Sequence, residues 1–151
     1  MAGAFAKLDP VHAAEYEKNG DETSKALLAL DAEIGGLISS LKGTTVVTYH
    51  SSLNYFFLHY GIPIAGFVEP KPGIKPSPTS LLETERRMKE KGVKMVITEP
   101  YQDLKIARKV ASDTGARLVI IPAYTGGGAG AETYPALVRT IARALLEASR
   151  G

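Results

Sequence analysis

The hydrophobic positions change period once along the chain. Leu27, Leu30, Ile34, Leu37, Ile38 and Leu41 recur every three or four residues, the spacing of a helix with one apolar face. Asp9 before Pro10 is a helix start, the carboxylate as cap and the proline at the first helical position. One long helix is therefore predicted from Asp9 to Leu41, with Lys42-Gly43 as its stop. Gly20 and Gly35-Gly36 weaken its interior, and Gly20 is where it would break. Unbroken, it would run about 50 Å at ~1.5 Å per residue, against a diameter of about 33 Å for the rest of the chain. Such a helix either bends around its own domain or reaches toward a second lobe.

After Gly43 short β-branched runs alternate with amphipathic stretches. Thr44–Tyr49 reads as a strand. Ser51 or Ser52 then caps a helix carrying Tyr55, Phe56 and Phe57, closed by Gly61. Ile64–Val68 is a second strand, followed by a proline-rich loop with Pro70, Pro72, Pro76 and Pro78. Ser77 caps the next helix, which carries Leu81, Leu82 and Met88 and stops at Gly92. Val93–Thr98 is a third strand. A helix from Asp103 to Thr114 buries Ile106, Ala107, Val110 and Ala111, with Gly115 beyond it. Arg117–Ile121 is a fourth strand. A glycine loop, Thr125–Gly130, leads to a last helix from Thr133 to Ala148 with Tyr134, Leu137, Val138, Ile141 and Leu145 inward. Strands alternating with helices over short connections imply crossovers and a parallel sheet. The expected fold is thus α/β: one long N-terminal helix, then a four-stranded parallel sheet with helices on both faces. The expected division is residues 1–43 as a linking helix and 44–151 as the α/β lobe.

Ligands of such sheets bind at the carboxyl ends of the strands. His50, Glu69 and Glu99 stand at the ends of the first three strands. Imidazole and carboxylate without thiolate suit zinc, manganese or iron. The competing reading is structural: a carboxylate at a strand end also accepts backbone N–H groups of the next helix terminus. His50 and Glu99 are the candidate metal ligands, with Glu69 behind them. His12 and His59 fall on helices and read as solvated. Gly126, Gly128 and Ala131 fit a loosened dinucleotide fingerprint, but after the last strand rather than the first, which argues against nucleotide binding. No nucleophile motif emerges, so no catalytic residue is assigned and the chain does not read as an enzyme. The basic run from Arg86 to Lys91 pairs with a helix C-terminus and needs no ligand.

Composition narrows these readings. The 151 residues are 44% hydrophobic and 23% charged, the mix of one globular domain. Cysteine is absent, which excludes disulfides, iron–sulfur clusters and cysteine nucleophiles. No apolar run reaches the ~18 residues of a membrane span. The net charge of +2 is too small to argue for nucleic acid. It is unevenly spread, −3 over residues 1–43 and +5 over 44–151. The N-terminus lacks the basic and apolar regions of an export signal, so the chain reads as cytosolic or as preceded by a leader outside it.

Several of these segments together carry a resemblance. Val46-Val47-Thr48-Tyr49-His50, then Tyr55-Phe56 and Tyr60-Gly61, resemble the start of the C-terminal lobe of metal-specific ABC-transporter solute-binding proteins, the zinc/manganese cluster of that superfamily. The likeness continues through Glu69–Ser77, Thr98-Glu99-Pro100-Tyr101, Ala111–Gly115 and the glycine loop before Thr133-Tyr134. Asp9-Pro10, Tyr16 and Asn19 resemble the helix that joins the family's two lobes. The resemblance implies a non-catalytic, extracytoplasmic or periplasmic lobe. It would help trap a divalent zinc or manganese ion and hand it to an ABC permease in the membrane. His50 matches one family ligand. Two histidines come from the N-terminal lobe, which has no counterpart in this sequence. A fourth ligand, often an Asp after the last strand, is not found in Ile121–Gly126. The expected chain is a C-terminal half with an incomplete, weak metal site, whose exposed face pairs with the other lobe or with a second copy. The alternative is a free-standing flavodoxin-like domain that binds an organic anion or nucleotide at the same rim.

Overall fold

The computed structural model describes residues 1–71 and 73–150; Pro72, counted above in the proline-rich loop, lies outside them. The β-branched runs form four parallel strands: β1 (Val46–Thr48), β2 (Ile64–Phe67), β3 (Met95–Thr98) and β4 (Arg117–Ile120). Their order is β2-β1-β3-β4. From β1 the chain goes to β2 on one side and then crosses to β3 on the other. The ends of β1 and β3 therefore flank the switch point, where open parallel sheets have their ligand crevice. Strand β1 pairs with β3 in register, Val46 opposite Met95 and Thr48 opposite Ile97; its pairing with β2 has an irregularity between Val46 and Val47.

Helices cover both faces of this sheet. They are α3 (Asn54–His59), α4 (Pro78–Glu90), α5 (Leu104–Thr114) and α6 (Tyr134–Ser149). Side chains alternate across a strand. Val47, Tyr49 and Val96 accordingly share one core cluster with Met88 of α4 and Ala107, Val110 and Ala111 of α5. Val46, Thr48, Met95 and Ile97 alternate to the other face, and all four are buried. The α6 helix packs on β4 and buries Leu137, Val138, Ile141, Ala142 and Leu145. Tyr134, expected inward, is 56% exposed because it opens the first turn of α6. Ser77 caps α4 through a bond from Ser80 N, and Asp103 caps α5 through bonds from Lys105 N and Ile106 N. Ser51 and Ser52 cap nothing: α3 begins at Asn54, with Leu53 before it and no side-chain cap.

Residues 1–36 and 37–151 form two compact units. The first holds α1 (Ala2–Leu8), a 3-10 turn at Pro10–His12 and most of α2 (Ala13–Leu37). The expected cap at Asp9 is not made; its carboxylate binds His12 and Tyr16 instead. The α1 helix, unforeseen in the sequence, folds back along α2. A Cβ on Gly20 would lie 2.6 Å from that of Ala2, so this glycine sets a close approach and not a break. The α2 helix stops at Leu37 and not at Leu41; a 3-10 turn at Ser39–Leu41 completes the apolar pattern. No helix among the described residues is long and apolar enough to cross a membrane.

Candidate metal centre

The sheet ladder extends past the strands and fixes the backbone of the rim. Tyr49 N donates to Ile97 O at 2.7 Å, Glu69 N to Tyr49 O at 2.9 Å, and Ile121 N to Thr98 O at 2.9 Å. His50 leaves the end of β1 between the tails of β2 and β3. Its Nδ1 lies 2.9 Å from the backbone carbonyl of Glu69. A carbonyl oxygen only accepts, so Nδ1 carries the proton and donates it. In the neutral ring that leaves Nε2 with its lone pair, the state in which imidazole binds metal.

Glu69 is the residue that the structure brings to His50. Its Oε1 is 3.6 Å from Nε2, and the two side chains are only 9% and 11% exposed. Gly73 N donates to the same Oε1 at 2.8 Å. Gly73 has φ +80°, a conformation that L side chains rarely adopt. The hydroxyl of Tyr49 also bonds the Glu69 carboxylate. Burial, then the negative charges of Glu69 and Asp103, and that bond push the Tyr49 phenol up to about 12. Tyr49 stays neutral and serves as a donor. Its ring meets that of His50 edge-on at 5.1 Å.

Glu99 sits at the end of β3, 4% exposed. Its Oε2 is buried without a hydrogen-bond partner, a costly state for a carboxylate lacking a counter-charge. Beyond it Tyr101 and Tyr124 stand 5.7 Å apart, each about half exposed. Burial, then the charge of Glu99, then Tyr124 raise the Tyr101 phenol above its usual range. The structure joins His50 to Glu69 and does not bring Glu99 to the same point. Among the described residues no three His, Cys, Asp or Glu side chains form a group that could hold a metal. The sequence reading missed Tyr49 and Gly73 as supports of Glu69; the glycine four residues after Glu69, in a proline-rich loop, was the available signal.

The glycine loop is closed upon itself. Gly126 N donates to Ala131 O, Gly127 N to Tyr124 O, Ala131 N to Gly128 O, and Gly130 N to Glu132 Oε1. Those four amides are not free to cradle a phosphate, which removes the main support for an anion or nucleotide site there. A Cβ on Gly127 would meet Tyr124 O at 2.9 Å, so the glycine serves tight packing. His12 bonds Asp9, and His59 is exposed on α3 with its ring against Tyr60.

Comparison with known proteins agrees with the fold. The chain is 29% identical over 146 residues to the high-affinity zinc uptake system protein ZnuA of Brucella abortus (strain 2308), covering 96% of this chain and 44% of that protein. It is 30% identical over 129 residues to the protein of the same name from Bacillus subtilis (strain 168), covering 83% and 40%. The chain thus spans less than half the length of these curated relatives. Among solved structures, the laminin-binding protein Lbp of Streptococcus pyogenes superimposes with a TM-score of 0.79 at 28% identity, covering 97% of this chain and 56% of that one. A periplasmic metal binding protein from Candidatus Liberibacter asiaticus shares the fold, with a TM-score of 0.80 at 21% identity over 97% and 56% of the two chains. The profile of the family described as "Zinc-uptake complex component A periplasmic" matches residues 1–148, and the chain belongs to this ZnuA family.

Proposed function

We propose that this chain is a metal-binding lobe of an extracytoplasmic solute-binding protein that delivers zinc or manganese to an ABC permease. The observation that carries the reading is the presentation of His50: Nδ1 is tied to a backbone carbonyl of the rigid sheet, and Nε2 faces a carboxylate. We assign His50 as a direct ligand. Glu99 is a second acidic group on the same rim, and its unpartnered oxygen supplies negative charge near the crevice. The family membership and the zinc in the relatives' names support zinc as the cargo. The imidazole–carboxylate set without thiolate suits manganese as well. A zinc site needs three or four protein ligands to bind tightly. The other lobe of the transport protein, or a second copy of this chain, would supply the rest. The linking role of residues 1–43 and the lobe role of 44–151 belong to the same proposal.

Calorimetric titration of the chelator-stripped chain with Zn²⁺ tests it. Saturable binding is expected, weakened at least tenfold by His50→Ala. That substitution removes one hydrogen bond and an edge-on ring contact, about 1–3 kcal/mol of stability, and circular dichroism of the variant checks that it remains folded. Equal zinc affinity in the two proteins would refute the assignment of His50.

A further inference from the structure

We propose that His50 Nε2 and Glu69 Oε1 hold one divalent cation between them, which makes Glu69 the carboxylate ligand this lobe contributes. The inference rests on the metal-binding reading above and adds a residue to it. No aspartate follows the last strand in Ile121–Gly126, where the family resemblance would place a carboxylate. Glu69 reaches the rim from a different strand, β2.

The distance between the two atoms carries the argument. At 3.6 Å they are too far apart for a direct hydrogen bond. In the neutral ring the Nδ1–H bond to Glu69 O leaves a lone pair on Nε2, so in that state two acceptors face each other across the gap. Two such acceptors repel unless a positive charge lies between them, and a metal ion competes with a proton for that place. Nitrogen and oxygen ligands lie about 2.0–2.1 Å from zinc, and at a tetrahedral angle they are about 3.3 Å apart. The observed gap is within a few tenths of an ångström of that separation.

The surroundings of Glu69 suit ligation. Gly73 N–H occupies one lone pair of Oε1, and a carboxylate oxygen has a second. The Tyr49 hydroxyl bonds the same carboxylate and orients it. His50 is fixed in turn by the backbone of Glu69, so one residue orients the imidazole and places its own oxygen opposite. Backbone pairing of Glu69 with Tyr49 holds both ligands to the end of the sheet. Glu99 makes no third member of this group among the described residues.

Affinity alone does not separate a ligand from a positioning residue, because loss of a metal site's supporting partners also costs about 10–100-fold. The full chain is therefore labelled with ¹⁵N and ¹³C and titrated with Zn²⁺ alone. The Nε2 resonance of His50 and the side-chain carboxyl carbon of Glu69 are followed together. They are assigned from His50→Ala and Glu69→Gln, with Glu69→Asp in reserve should the glutamine variant not fold. Both signals should move and saturate at the same zinc concentration, and Glu69→Gln should weaken binding at least tenfold. Movement of His50 Nε2 with a stationary Glu69 carboxyl overturns ligation by Glu69 and leaves the metal-binding reading standing. If neither signal moves, the metal-binding reading itself fails.

Discussion

Asp9 accepts two hydrogen bonds on one carboxylate oxygen, from His12 Nδ1 at 2.8 Å and from the Tyr16 hydroxyl at 3.0 Å. The His12 bond, then the Tyr16 bond, hold this carboxyl below its usual 3.8. The same bond raises the Tyr16 phenol. A lowered folded-state value means that the stabilisation is complete above the unfolded value and is lost as pH falls through the folded one. Acid titration followed by NMR should place the Asp9 midpoint below 3.8, and His12→Ala should move it upward. A midpoint at or above 3.8 in the unaltered chain would show that these bonds do not hold in solution. Individual polar partnerships of this kind were poorly legible in the sequence. Asp-Pro signals a cap, yet the carboxylate's largest interaction is with a side-chain donor, His12, three residues on. His50, Glu69 and Glu99 were all recognisable by their place at strand ends. The closeness of Glu69 to His50 was not, because it depends on the register between β1 and β2 and on Gly73 turning back.

At the scale of elements the hydrophobic period was the dependable guide. The four strands were legible because their β-branched runs are bounded by glycine, proline and capping residues. The ends of helices were less so. Leu145 and Tyr134 fit one helical stripe, but Leu145 is fully buried in the C-terminal half of α6 while Tyr134 is exposed at its start. Leu145→Ala should cost about 2–5 kcal/mol, the usual range for emptying a packed leucine site. Tyr134→Ala should cost less than about 1 kcal/mol. Denaturant unfolding of both variants measures the difference, and equal costs would mean that the first turn of α6 is packed in solution. Ser77 was read correctly as a cap because Pro78 fixes the start of α4. Ser51 and Ser52 offered the same side chain without such an anchor, and α3 began two residues later. The α1 helix escaped notice because its seven residues bury none of their side chains, so no apolar stripe marks it.

For the molecule as a whole, the proposed cation links the site to the stability of the fold. A ligand that binds only the folded state stabilises it in proportion to the logarithm of its concentration over Kd, about 2.7 kcal/mol at a hundredfold excess. Each kcal/mol raises the melting temperature of a domain this size by about 2–4 °C. Zinc at one hundred times the calorimetric Kd should therefore raise the melting temperature by about 5–10 °C. His50 and Glu69 lie on the tails of adjacent parallel strands held by the extended ladder. Both strands have to be in place before the two ligands meet, so the unfolded chain cannot offer the same pair. His50→Ala should lose nearly the whole shift at the same zinc concentration, and Glu69→Gln most of it. The unaltered chain should respond to manganese in the same direction, by an amount set by its own Kd. Calorimetric saturation without any rise in melting temperature would mean that the metal binds folded and unfolded chains alike. The ligands would then be scattered side chains rather than a pair assembled by the sheet.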